Sequence, residues 1–417
     1  MSHKNGTSDR IKALSLFIAQ NATQVSELQL GSKPDLTSGE LEKMTQAVSD
    51  ACRELEALLT EPHEWLAQVA WGYMDSVALS IVLEMNIHRH IQAGDSQTSL
   101  AQLADITGGS IDLIKRIMRQ CVKRSIFEEV EPELYRHNNR SMCLLHHEFA
   151  SLMHYLVDDG LLCGAHLAQS TLENNLQIPS DRRLSAFQLA FQTDKTLYDY
   201  YHTVDQKRGR RFADAMAGHY NTPLDEPIET IFPFSTLNRN SLVVDVGGGN
   251  GQHSLRLAAK FPGMRFVVQD HTSVIQSAQG TVPAAIAGRI QWQLQDMYSP
   301  QQVKGADIYL LSHVLMDNTN DDCATVIRHI TKAMKPGISK ILVHDFVNPA
   351  KGEYASPFLN LLDLHMVASL NTFSRSYREW LQMFHSADPQ LSLQRFCAGP
   401  KNSAVFEFLL NFRSHTD

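Results

Sequence analysis

No CxxC pair occurs among the six cysteines (Cys52, Cys121, Cys143, Cys163, Cys323 and Cys397), so neither a zinc site nor a disulfide framework is indicated and no metal is expected. No run approaches the roughly 18 consecutive apolar residues of a membrane helix. The start, MSHKNGTSDRIKALSLF, lacks the basic and strongly apolar arrangement of a cleavable leader, so the expectations are no membrane and a cytoplasmic location. Positive charge is not in excess either. Lys+Arg 37 stand against Asp+Glu 45, a net charge of -8, which gives no basic footprint for nucleic acid and leaves a small-molecule substrate as the expected partner. Internal repeats and low-complexity tracts are missing as well.

What is present is enough apolar content for two cores, and 417 residues exceed what one core usually serves. Leu41, Met44, Val48, Cys52, Leu55 and Leu58 recur at helical spacing and predict one amphipathic helix. Residues 65–91 are more apolar than a surface helix needs and imply burial in a core or against a second subunit. Ser110 is placed to cap a helix whose residues Ile111, Ile114, Ile117, Met118 and Cys121 share a face, and a short hairpin around Glu131, Pro132 and Glu133 follows. Together they predict a winged helix. Its second helix carries Lys115, Arg116, Arg119, Lys123 and Arg124, but the acidic chain favours a dimerisation scaffold over DNA binding. Residues 150–235 read as helical throughout, and the turn-rich passage with Asn221, Pro223, Pro227 and Pro233 leads into the second half.

Beyond Ser241, short apolar runs alternate with helical segments: LVVDV, a helix at 252–261, RFVVQ, IQWQL, DIYLLSHVL, a helix at 321–335, ISKILVHDFV and AVFEFLL. This is βαβ patterning, hence a largely parallel sheet covered by helices. The expected division is a helical, winged-helix part over 1–235 that dimerises and covers substrate, followed by a Rossmann-like domain over 236–417.

LVVDVGGGNG runs a buried strand into a glycine turn and then into a helix. Glycines without Cβ let the backbone approach a ligand, and the helix start behind them offers free N–H groups. A dinucleotide fingerprint would need a glycine at Gln252 or Ser254; the pattern is instead GxGxG over Gly247, Gly249 and Gly251, with Asp245 two residues ahead. That carboxylate suits the ammonium of a methionine tail better than a pyrophosphate, which points to S-adenosylmethionine (SAM). Asp270, ending the next strand, is placed for ribose hydroxyls, and Asp296 with Met297 for the adenine.

With RRFADAM, QDMYS, LSHVLMDNTNDDCATVIRHITKAMKPG, KILVHDFV and DLHMVASLNTFSRSYREWLQMF added to the glycine motif, the chain resembles plant and fungal SAM-dependent O-methyltransferases of the caffeate and flavonoid type along nearly its whole length. The resemblance implies an α/β fold, a Rossmann-like SAM-dependent methyltransferase domain preceded by a mostly helical winged-helix dimerisation domain, in an intertwined homodimer. It assigns Asp245, Gly247, Asp270, Asp296 and Met297 to the cofactor, and Gly249 and Gly251 of the glycine motif and Ser312 are expected to contact it as well. Phe212, Met216, His219 and Met366 become walls of the acceptor pocket.

One departure concerns the chemistry. The family takes the phenol proton with a histidine in a His-Asp-Trp stretch, whereas this chain reads Met316, Asp317, Asn318, and a thioether is no base at neutral pH. Of the two acids that orient that histidine, one corresponds to Asp345 and the other to Ser374. The pattern is similar to a fungal pericyclase branch of the family, the leporin pericyclase type, in which the sulfonium acts as a fixed charge during dehydration and ring closure. Asp317, His154, His219, His313 and the vacated position Met316 are therefore the catalytic candidates; Asp317 can also be read as a helix cap, and the histidines as core residues. The alternative activity is methyl transfer to a phenolic or enolic oxygen. Phe187, Phe191, Tyr198 and Tyr201 have helical spacing and read first as core.

Overall fold

Glu61 accepts hydrogen bonds from the N–H groups of His63 and Glu64 and so starts the helix Pro62–Trp71, with proline in the first turn where its missing N–H costs nothing. The computed structural model describes residues 2–29, 38–94, 96–222, 224, 226–272, 274–275, 282–353 and 356–412; the expected turn residue Pro223 lies outside them. Two compact units are separated at Val77/Ala78. In the first, helices Ser2–Gln29 and Ser38–Leu59 pack together, joined by a bidentate pair of Arg10 with Glu54 at 2.6 Å. The predicted stripe lies on the second of these helices and is half-buried there, except that Cys52 is exposed. Leu66 (67 % exposed), Val69 (65 %) and Trp71 (70 %) are left uncovered within this chain. The stretch Pro62–Glu84, 23 residues with a mean hydropathy of 1.4 in its most apolar window, is long and apolar enough to cross a bilayer by length and composition.

The second unit begins with the predicted winged helix. Strands β1 (Thr98–Ser99), β2 (Phe127–Glu131) and β3 (Leu134–His137) form an antiparallel sheet in the order β1-β3-β2. Ser99 and Gln102 form a reciprocal capping box at the helix Leu100–Thr107, and Ser110 accepts from the Leu113 N–H at the helix Ile111–Lys123. Ile114, Ile117, Met118 and Cys121 are buried as expected, but Ile111 is 51 % exposed, because the first helical turn overhangs the edge of the core. Lys115 is paired with Glu133 and Arg116 with Asp112, which neutralises two of the five basic residues.

Residues 147–220 are helical with breaks, as Arg182–Leu184 forms only a 3-10 turn and Gln192 ends a helix in the left-handed region at φ 48°. Leu152, Phe187 and Tyr201 from these helices join Phe346, Leu359 and Met366 in one apolar cluster. Through that cluster the helices pack against the large sheet within the second compact unit, which runs from Ala78 to Asp417.

The large sheet has the order β6-β5-β4-β7-β8-β10-β9, made of β4 (Leu242–Val246), β5 (Arg265–Asp270), β6 (Ile290–Leu294), β7 (Ile308–Ser312), β8 (Lys340–Phe346), β9 (Leu391–Ala398) and β10 (Ser403–Leu410). Five strands are parallel and β10 is antiparallel to both β8 and β9. Strand β9 was not expected, since its alternating buried and exposed residues carry a weaker signal than a fully buried run. The strand expected across DIYLLSHVL stops at Ser312, because His313 takes a left-handed turn at φ 53° and a 3-10 turn, Leu315–Asp317, follows. Strand β4 pairs with β5 on one side and β7 on the other, so the chain order reverses at its carboxyl end; ligands of open α/β sheets sit in that crevice.

Candidate active site

A cavity of about 500 Å³ opens at that crevice, within the usual range for a small-molecule site. Asp245, Gly247, Gly249, Asp270, Asp296, Met297 and Ser312 line it, as do His313, Asp317, Phe212 and Met216. Gly251 does not; with φ 74° it caps the helix Gln252–Lys260 behind the turn, where a Cβ would lie 2.8 Å from the Trp292 ring. The close approach in this loop belongs to Gly248, since a Cβ there would fall 2.8 Å from Asp245 Oδ2.

Asp245 is 1 % exposed, and burial pushes its carboxyl up to about 6 although Ser254 Oγ donates to Oδ2 at 2.6 Å. Its Oδ1 has no partner. An unpaired buried oxygen facing a cavity is a place for a cation or donor to arrive. Nearby, Asn250 Oδ1 and His253 Nε2 are also buried without partners, so the glycine turn carries three unfilled polar atoms. Asp270 accepts from the N–H groups of Gly249 (2.9 Å) and His271 (2.7 Å), and Asp296 from Tyr298 N–H (2.9 Å) and Ser299 Oγ (3.0 Å). Asp245, Asp270 and Asp296 thus bring three carboxylates to one cavity, acceptors of the kind that the ammonium, hydroxyl and amine donors of S-adenosylmethionine require, and the lining fits that cofactor.

On the acceptor side, Tyr198 O–H donates to Asp317 Oδ2 at 2.5 Å. Burial raises the Asp317 carboxyl to about 7; the Tyr198 bond opposes the shift and the Asp345 charge adds to it. Asp345 is itself raised to about 6 by burial. Arg182 reaches Asn318 Oδ1 (3.1 Å) and Asp322 (3.2 Å), its guanidinium 5.5 Å from the centre of the Tyr298 ring. A carboxyl near neutrality beside a phenol and a guanidinium can move a proton at an oxygen while holding negative charge. The cap reading of Asp317 falls, since Thr319 caps the helix Asn320–Thr331.

Other candidates lie elsewhere. His154 is bonded to Glu84 at 2.7 Å and does not line the cavity. Met316 and Met366 sit in the apolar cluster behind the wall at 6 % and 5 % exposure, and His219 stacks on Phe358 with ring centres 5.8 Å apart, also off the lining. The Met316 N–H donates to Asp345 Oδ2 at 3.1 Å. Ser374, the second position that departs from the family, is buried near Arg375 and not on the lining. Arg182, Tyr198, Tyr298, Asn318 and His253 line the cavity and were missed. Tyr198 had the same helical spacing as core aromatics, and Arg182 comes from a turn with no motif.

A family model described as an O-methyltransferase domain matches residues 166–388, and one described as an O-methyltransferase dimerisation domain matches 67–147. O-methyltransferase xanE of Aspergillus fumigatus is 39 % identical over 86 % of this chain and 84 % of its own. N-methyltransferase nanE of Aspergillus nanangensis is 37 % identical over 81 % and 84 %. The solved structure of LepI with SAM superposes with a TM-score of 0.81 at 23 % identity, covering 95 % of this chain and 100 % of that one. OxaC with S-adenosylhomocysteine and oxaline gives 0.82 at 19 %, over 95 % and 100 %. At those identities the two structures share the fold with this chain.

Proposed function

The chain belongs to the O-methyltransferase family, and from that premise we propose that it holds S-adenosylmethionine as a fixed charge and catalyses dehydration, with or without pericyclic ring closure, of a small hydroxylated secondary metabolite of polyketide or alkaloid type. The observation that carries this reading is the neighbouring pair Met316 and Asp317. The family's base position points a thioether into an apolar cluster, while the next residue presents a carboxyl with a pKa of about 7 to the cavity. Such a group is half protonated at neutral pH and gives a proton to a poor leaving group readily. S-adenosylmethionine supplies, when bound, a permanent positive charge in a site screened from water.

The proton count closes on Asp317. Its carboxyl proton goes to the substrate hydroxyl as the carbon–oxygen bond breaks and water leaves. The carboxylate left behind takes the acidic O–H or N–H proton of the conjugated ring, so the substrate loses one water and Asp317 returns to its starting form. Tyr198 holds the carboxylate through this cycle, and Arg182 faces the oxygen on which negative charge develops. A following ring closure moves no proton; there Phe212 and Met216 supply shape and proximity.

Two observations favour methyl transfer as a second reading: His313 faces the cavity, and the relatives named above are methyltransferases. Incubation with methyl-labelled SAM and an extract of metabolites separates the two. Label found in a small molecule removes the first reading; substrate turnover with SAM intact removes the second. The exposed Leu66, Val69 and Trp71 support an intertwined homodimer, and a partner covering that apolar helix suits a cytoplasmic protein that contacts neither membrane nor nucleic acid.

A further inference from the structure

We infer that His253 is the carboxylate-reading residue of the cofactor site, its Nε2–H donating to the carboxylate at the amino-acid end of S-adenosylmethionine while Asp245 Oδ1 receives the ammonium. The inference rests on the reading of this cavity as a SAM site and goes beyond it by fixing how the zwitterion is recognised.

The tautomer follows from a neighbour. Arg256 Nη2 lies 3.1 Å from His253 Nδ1, and a guanidinium has only donors, so Nδ1 accepts and the ring proton sits on Nε2. Arg256 is itself held by the Tyr220 carbonyl at 3.1 Å and by Glu229 at 3.7 Å. The side chain of His253 is 5 % exposed, lines the cavity, and has no partner for Nε2. A buried N–H without an acceptor is costly unless a ligand completes it. Asp245, on the neighbouring strand end, has the opposite defect, an acceptor without a donor. One orphan of each kind at one end of a cavity is complementary to an α-amino acid. Burial, with His313 and Arg256 adding to it, keeps the imidazole neutral, so it binds a carboxylate without setting a second cation near the sulfonium.

A metal is the rival use of this ring, because donor atoms of His253, His313 and His344 all lie within 4.8 Å of one another. The proton on Nε2 removes the lone pair a metal would need. Both nitrogens of His344 are also engaged, by Ser312 Oγ at 2.9 Å and Ser403 Oγ at 3.0 Å.

The test is calorimetric titration of the full chain with two probes, S-adenosylhomocysteine and 5′-methylthioadenosine, which lacks the amino-acid end. His253→Leu is expected to weaken S-adenosylhomocysteine by about 10- to 100-fold, the loss of one hydrogen bond to a charged group, and to leave methylthioadenosine unchanged. His253→Gln, which restores an N–H donor, is expected to recover most of the difference. Equal losses on both probes, or no loss on either, overturn the assignment. A native protein that binds neither probe defeats the cofactor reading itself, and this assignment with it.

Discussion

Replacing Asp245 by asparagine separates the two things the carboxyl does. In the native chain, burial lifts its pKa from 3.8 to about 6. Two units correspond to about 3 kcal/mol, at 1.36 kcal/mol per unit, that the folded protein loses by keeping the group ionised at pH 7. The sign is that of a raised acid: the penalty is absent below about pH 4, grows as pH rises towards 6, and is complete above it. Asparagine has no charge to bury and can still accept from Ser254 Oγ, so the unliganded variant should melt higher than the native protein at pH 7. An arriving ammonium offsets the native penalty and finds nothing comparable in the variant. The expected weakening of S-adenosylmethionine is therefore about 100-fold at pH 7, from about 3 kcal/mol at 1.4 kcal/mol per tenfold. At pH 5 the native carboxyl is mostly protonated before binding, and the gap should narrow by about tenfold. Calorimetric titration at the two pH values, with scanning calorimetry of the unliganded proteins, reads all three numbers. Equal affinities at pH 7, or a gap that ignores pH, would refute the ammonium assignment.

Asp317→Asn should abolish turnover while leaving cofactor affinity within about twofold, because the group acts on the substrate side. In the native enzyme, turnover should fall as pH rises through about 7, where the acid form is lost, and a rate profile from pH 5.5 to 9 checks it. Met316→His puts an imidazole at the family's base position, on the residue whose backbone N–H is held by Asp345. It should create label transfer from methyl-labelled SAM that the native chain lacks, at about 1–3 kcal/mol of stability for a polar group in an apolar cluster. A native chain that already transfers label, merely accelerated by the histidine, would end the dehydratase reading.

The cofactor half was legible because its signal is local. Strand, glycine turn, helix and strand-terminal acid are contiguous in LVVDVGGGNGQHSLRL and RFVVQD, and each falls where the pattern puts it. The acceptor half is assembled from segments more than a hundred residues apart. Tyr198 on the helix Leu197–Thr203 meets Asp317 in the turn Leu315–Asp317, and no spacing encodes that contact. His154 illustrates the reverse: apolar neighbours in sequence suggested a pocket, but its ring is taken up by Glu84 away from the cavity lining. The left-handed turn at His313 was equally invisible, since a histidine after a buried strand carries no mark of positive φ.

The bond from Gly249 N–H to Asp270 ties the tip of the glycine turn to the end of the neighbouring strand before any nucleoside arrives. In the proposed cofactor site one carboxylate is then both the anchor of the turn and the sugar contact. Removing it would both slacken the loop and delete a ligand bond, so a descendant of this protein cannot trade its nucleoside preference at that position without re-knotting the turn by another route. Changes in what the enzyme makes are freer to accumulate across the cavity at Phe212 and Met216, whose side chains supply only shape.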